Sequence, residues 1–235
     1  TTFSLFPLLG GTPAVGGTWT GPGGVANNGT FTPGTSTPGV YTYSVNGNPP
    51  CPGVDQSTVT VNVVNPVNAG TDAAISICTS NLATNLSTLI TGAMGGGTWT
   101  TPTGAAFTGW YDPSVNDPGI YTYTVTGTAP CPNDLSQVTV TESTAPNAGL
   151  DGAITVCSNG SSVLLFNSLG GAPGFGGTWT APGGVAHNGT FIPGTDPAGV
   201  YQYTLTSNPP CLPDVATVTV TVIQPPNAGT DGVLT

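Results

Sequence analysis

The chain contains no lysine and no arginine, and charged residues make up 4% of its 235 positions. Ten acidic side chains and one histidine leave a formal charge of -10 at pH 7. A chain without cations has no phosphate clamp, which excludes nucleic acid as a partner. The same absence removes a P-loop, an arginine finger, a Schiff-base lysine and basic attraction to anionic lipid. Lysine–asparagine isopeptide staples cannot form, and trypsin has no site to cut. No apolar run approaches the roughly 20 residues that span a bilayer, so no membrane insertion is expected of this segment. Long helices are excluded as well, because 36 Gly and 24 Pro are spread along the chain.

So much Gly and Pro borders on the composition of disordered chains. Two features oppose disorder. Charge is far below the level usual in disordered segments, and Leu, Ile, Val and Phe still make up about a fifth of the residues. The apolar residues are also ordered by a repeat. Trp19, Trp99 and Trp179 follow one another at intervals of 80, as do Cys51, Cys131 and Cys211. "GGTWT" occurs at Gly16, Gly96 and Gly176, and "NAGTD" at Asn68 returns as "NAGLD" at Asn147 and "NAGTD" at Asn227. "GVYTYSV", "GIYTYTV" and "GVYQYTL" begin at Gly39, Gly119 and Gly199. Three copies of one module result, with the start of a fourth. The expected domains are 1–66, lacking its own first strand, then 67–145, 146–225, and the first strand of a further repeat at 226–235. The phase of the repeat suggests a window on a longer array.

Within each copy, short runs such as "AAISIC", "GTWT", "GIYTYTV" and "VTVTV" alternate with period two and are separated by Gly, Pro and Asn. The segment 71–91 lacks Gly and Pro, but its counterpart in the third copy contains Gly152 and Gly160, so strand, turn, strand fits both. "NNGT" at Asn27 and "HNGT" at His187 carry Asn-Gly hairpin signals. Six or seven short strands per 80 residues predict an all-β chain of tandem Ig-like β-sandwiches. "DPGIYTY" at Asp117 has the form of a tyrosine corner, with Tyr121 as the corner residue and Tyr123 where an antibody domain has its second Cys. The repeated Trp is expected in the core.

The period also organises the five cysteines. Cys78 and Cys131 fall in one copy and Cys157 and Cys211 in the next, which predicts one disulfide per module, from the first strand to the loop before the last. The partner of Cys51 would lie before Thr1. Sequence alone does not establish connectivity, but such bridges imply an oxidising compartment and an extracellular protein. A metal site is disfavoured by the absence of CxxC.

Catalytic chemistry is poorly represented, and neither an enzyme nor a cofactor is expected. His187 stands alone, with Asn27 and Phe107 at the matching places, and reads as a solvated turn residue. Asp112, Asp117 and Asp196 are not shared by all copies, which argues against paired carboxylates for glycoside hydrolysis. Junction residues Asp72, Asp151 and Asp231 recur, as do Asp55, Asp134 and Asp214. They either shape the linker turn or supply oxygens to calcium, and the sequence leaves both open. Trp110 has Thr30 and Thr190 at its counterpart positions and is the best candidate for an exposed contact. Sequons occur at Asn28, Asn85, Asn159 and Asn188.

"GGTWT", "PGVYTYSV", "PCP", "ATVTVTV" and "PPNAGTDG", in this order and spacing, resemble the tandem Ig-like, PKD-like repeats of giant surface adhesins from gliding Bacteroidota. The likeness covers all three copies. It implies export by the type IX secretion system and a part in adhesion or gliding motility. The expected function is a structural stalk of an extracellular, cell-surface fibre, whose partners are neighbouring repeats of the same chain or filament. The Pro-bearing joints "NPVNAG" and "PPNAG" would limit bending. Two alternatives remain: a carbohydrate-binding sandwich array that contacts surface glycans, and a filament of separate subunits in which "NAGTDGVLT" completes the next subunit.

Overall fold

The computed structural model describes residues 1–227 together with Gly229 and Asp231. Most of the strand expected at 226–235 therefore lies outside the described residues. The chain forms two compact units. Unit 1 comprises Thr1–Val67 with Thr126–Asn133, and unit 2 comprises Asn68–Val125 with Asp134–Thr235.

The first repeat holds β1 (Phe3–Ser4), β2 (Thr18–Thr20), β3 (Ala26–Asn27), β4 (Thr30–Phe31), β5 (Gly39–Asn46) and β6 (Val54–Val61). The second holds β7 (Ala73–Cys78), β8 (Thr84–Asn85), β9 (Thr98–Thr100), β10 (Ala106–Phe107), β11 (Trp110–Tyr111), β12 (Gly119–Val125) and β13 (Asp134–Ser143). The third holds β14 (Gly152–Cys157), β15 (Val163–Leu164), β16 (Thr178–Thr180), β17 (Ala186–His187), β18 (Thr190–Phe191), β19 (Gly199–Leu205) and β20 (Asp214–Ile223). Short 3-10 turns, such as Leu86–Thr88 and Leu165–Ser168, are the helical elements among the described residues.

In the second repeat a five-stranded sheet runs β10-β9-β12-β13-β7, and β8 pairs with β11 in a separate two-stranded sheet. The third repeat copies this with β17-β16-β19-β20-β14 and β15-β18. The first has β3-β2-β5-β6 and β1-β4, so its larger sheet ends on β6. Neighbouring strands are antiparallel with two exceptions: β7 on β13 and β14 on β20 are parallel.

Period-two alternation gives each sheet an apolar inner face. In unit 1 the core joins Leu5, just after β1, and Phe31 of β4 to Trp19, Tyr41, Tyr43 and Val59 of the large sheet. In the third repeat Leu165, Phe191, Trp179, Tyr201, Tyr203 and Val218 do the same. The tyrosine corner is present three times. Tyr41, Tyr121 and Tyr201 each donate their hydroxyl to the backbone carbonyl four residues upstream, on Thr37, Asp117 and Pro197, at 2.8 Å in every copy. Two residues on, Tyr43, Tyr123 and Tyr203 pack against the repeated Trp, with ring centroids 5.1 to 5.2 Å apart. A Trp–Tyr pair therefore stands where an antibody domain packs Trp on a disulfide.

The glycine pair in "GGTWT" has two separate causes. Gly96 has φ of 86°, in the region that L side chains avoid. Gly97 has no such φ, but its N–H donates to the Tyr123 hydroxyl at 2.9 Å. A Cβ on Gly97 would fall 2.5 Å from the Tyr123 ring and 2.6 Å from Thr124 O.

One local expectation is corrected. Asn28-Gly29 and Asn188-Gly189 do not close hairpins, because β3 pairs with β2 while β4 pairs with β1, and β17 and β18 diverge in the same way. The turn carries the chain from one sheet to the other. Segment 71–91 is strand, turn, short strand and a 3-10 turn, as its Gly-containing counterpart indicated.

Two outcomes follow. Gly97→Ala destabilises by about 1–3 kcal/mol through overpacking, read as a lower urea midpoint. Gly95→Ala, which meets nothing within 4 Å, leaves the midpoint close to wild type. Burial raises the phenol pKa of Tyr111, Tyr121 and Tyr201 above the ordinary 10.0, and a hydrogen bond to Glu142 adds to the effect at Tyr111. Their contribution to stability is full below that ordinary value and is lost as pH rises through the folded values. Tyrosinate absorbance at alkaline pH therefore appears together with unfolding.

Candidate functional site

The cysteines are the most consequential chemical groups in the chain. Cys78 is joined to Cys211, with Cα atoms 4.9 Å apart and a sequence separation of 133. This corrects the expected pairing of Cys78 with Cys131 and of Cys157 with Cys211. Cys51, Cys131 and Cys157 are free. The reason is strand direction. Because β7 runs parallel to β13, Cys78 lies beside Ser143 at the far end of β13. Cys131 precedes the near end of the same strand, which is ten residues long. At about 3.3 Å per residue the ten-residue strand spans roughly 30 Å, so the end of β7 lies far from the start of β13, well beyond disulfide reach.

What meets Cys78 instead is the loop between β19 and β20 of the next repeat. Cys211 Sγ lies 3.2 Å from Ser143 O, and Ser143 Oγ donates to Pro209 O at 3.3 Å. Both half-cystines are buried. The bridge thus ties the first strand of one module to the penultimate loop of the following one. In unit 1, Cys131 Sγ takes the matching place, 3.4 Å from Val64 O at the exit of β6.

The recurring carboxylates are hydrogen-bond acceptors for backbone. Asp134 Oδ2 accepts the Ala69 N–H at 2.8 Å, and Asp214 Oδ2 accepts that of Ala148 at 2.7 Å. Asp72 Oδ1 accepts the Gln137 N–H and Asp151 Oδ1 the Thr217 N–H, at 2.8 and 2.7 Å. Each pair of acids pins the start of the parallel strand to the start of the last strand. Among the described residues, no group of three or more His, Cys, Asp or Glu side chains gathers to hold a metal ion.

His187, expected in a solvated turn, lies on β17 with its side chain packed, at 12% exposure. Its ring meets Tyr201 at 4.9 Å, where Phe107 meets Tyr121 in the second copy. Nδ1 accepts the Gly189 N–H, as the Asn27 side chain accepts that of Gly29. Nε2 lies 3.5 Å from Asp196 Oδ2. Asp196 in turn accepts the Ile192 N–H at 2.6 Å. Both ring nitrogens are committed to holding the loop. The shallow depression of about 400 Å³ beside them is lined by Ala186, Asn188, Thr190 and Ile192. At Asp112, hydrogen bonds from Ser114 hold the carboxyl below its usual range in an exposed turn.

The repeated aromatics Trp19, Trp99 and Trp179 are buried. Trp110 is not; it is 55% exposed on β11, beside Asn85 of β8. Its neighbour Tyr111 is fully buried and donates to Glu142 at 2.7 Å.

Peptide mapping of the oxidised chain should recover Cys78 linked to Cys211, and neither Cys78–Cys131 nor Cys157–Cys211. When the chain is pulled from its ends, the bridge withholds the stretch between the two cysteines, a sequence separation of 133. At ~3.3–3.6 Å per residue, reduction then adds roughly 450 Å of extension in a single-molecule stretching measurement.

No family model and no curated protein matches the chain. Solved structures do. A tandem fragment of the titin I-band is similar over 88% of this chain and 88% of its own, at 16% identity and a TM-score of 0.50. The insect immune protein hemolin aligns over 78% of this chain and 56% of its own, at 14% identity and a TM-score of 0.38. The extracellular domains 3–5 of Drosophila OTK align over 79% and 71%, at 13% and 0.38. The likeness to titin is one of fold: the chain is all-β and built of tandem Ig-like domains.

Proposed function

We propose that this chain is a structural stalk segment of an extracellular, cell-surface fibre. The observation that carries the reading is the bridge from Cys78 to Cys211, which ties one module to the loop of the next. A linkage of that kind resists extension. Three further features support it. Disulfides persist in oxidising compartments. The carboxylates common to the repeats are spent on backbone at the module junctions rather than on a reaction centre. The fold is that of tandem Ig-like arrays. Export by the type IX system and a role in gliding rest on the resemblance of the repeats to Bacteroidota adhesins.

A second reading, glycan contact, is favoured by one observation: Trp110 presents an exposed indole where the other copies have Thr. Loss of glycan binding in Trp110→Ala would support it.

Cryo-electron microscopy of the native surface material tests the stalk. Thin fibres with a regular spacing of one module are expected. Isolated compact particles would sink the proposal.

A further inference from the structure

The small sheet of each repeat is one pair of two-residue strands, in the same register in all three copies. One cross-strand pair carries a buried ring: Phe31, Tyr111 or Phe191. The other pair is Ser4 with Thr30 in the first repeat and Leu164 with Thr190 in the third. In the second repeat it is Asn85 with Trp110. Both members of the pair differ in that one copy. Successive side chains of a strand face opposite ways, so with Tyr111 buried the Trp110 indole faces outward, 55% exposed. Residues opposed in an antiparallel pair have Cβ atoms about 4.5–5.5 Å apart, which puts Asn85 beside the indole.

Asn85 opens the sequon Asn85-Leu86-Ser87. Its Oδ1 accepts the Ser87 N–H at 3.0 Å. Its Nδ2, the atom to which an N-linked sugar attaches, makes no hydrogen bond among the described residues. The other sequon asparagines, Asn28, Asn159 and Asn188, lie outside the strands and have no cross-strand partner. The one sequon held in a sheet is therefore the one that faces an exposed tryptophan.

A tryptophan left in water exposes a large apolar ring. A pyranose offers a face of C–H groups edged by hydroxyls, which covers such a ring while keeping its own polar groups wet. Asp112 follows Tyr111 in sequence, and Glu142 accepts the Tyr111 hydroxyl. With these carboxylates near and no cation in the chain, a neutral sugar fits and an acidic one does not.

We propose that Asn85 is a site of N-linked glycosylation, and that the first, neutral sugar of its glycan lies on the indole of Trp110. The donor is an oligosaccharide carried on a lipid pyrophosphate, and a separate transferase is the catalyst. A bond forms between Nδ2 and C1 of the sugar, and the bond from C1 to the pyrophosphate oxygen breaks. The lipid pyrophosphate leaves with the electron pair, and a base of the transferase takes the Nδ2 proton. Leu86, in the middle of the sequon, is fully buried in the folded module. Transfer therefore takes place on the chain before β8 closes on β11. The sugar chemistry is that of the glycan-contact reading, but the source is the chain's own glycan. The stalk reading is needed only for export.

Peptide mass spectrometry of the chain from its native source is the first test. An Asn85 peptide heavier by a chain that begins with a hexose or N-acetylhexosamine is expected, and an unmodified Asn85 overturns the proposal. Acrylamide quenching of tryptophan emission is the second. Trp110 is the one exposed residue of the four tryptophans. It is shielded in the native chain and becomes quenchable in Asn85→Gln made in the same host, whereas Asn28→Gln leaves the shielding unchanged. The fold should tolerate Asn85→Gln, because Leu164 holds the same place without a side-chain cap. A glycan on Asn85 with quenching equal to that of Asn85→Gln overturns the seat on Trp110. An unmodified Asn85 whose neighbour Trp110 is protected by added chitohexaose overturns the proposal and leaves contact with glycans from solution standing.

Discussion

The parallel pairing of each module's first strand with its last is the constraint on which the rest of the array depends. It places the end of the first strand at the exit of the module, where the next module begins. That is why Cys78 meets Cys211 and not Cys131. It also brings the two recurring acids together at the opposite end of the strand pair, where each accepts a backbone N–H from the other strand. Parallel ladders are somewhat weaker per residue than antiparallel ones. Charge-assisted hydrogen bonds at the start of the two strands hold this pair where the ladder alone is least secure.

The interior follows a different logic. A small module without an internal disulfide must close its core by packing, and here aromatic rings and glycines share the task. The corner tyrosine fixes the chain as it enters the long strand β12, and the next tyrosine covers the Trp. Gly97 leaves room for that ring to reach the backbone, where the Tyr123 hydroxyl both accepts from Gly97 and donates to Met94 O. The high glycine content is therefore a packing requirement at this point as much as a turn requirement. With the core secured by stacking, the cysteines are released to link modules.

Much of this was legible in the sequence. The 80-residue period, the alternating runs and the Tyr-x-Tyr spacing announced tandem sandwiches, a tyrosine corner and a buried Trp, and the structure has all three. The exposed indole of Trp110 was legible too, because Thr occupies its place in both other copies. The turn at Asn28-Gly29 was misread as a hairpin. An Asn-Gly pair specifies a local reversal of backbone direction, and whether the flanking strands pair or part depends on which sheet each one joins.

By itself the sequence determined the inward-facing residues and the class of fold, because these follow from periodicity and from side-chain volume and polarity. Only the tertiary structure decided which cysteines meet. Alternation with period two is the same whether a strand is read as parallel or antiparallel to its neighbour, so strand direction leaves no mark in the pattern of "AAISIC". Direction determined whether the Cys78 end of β7 lay at the start of β13 or at its far end.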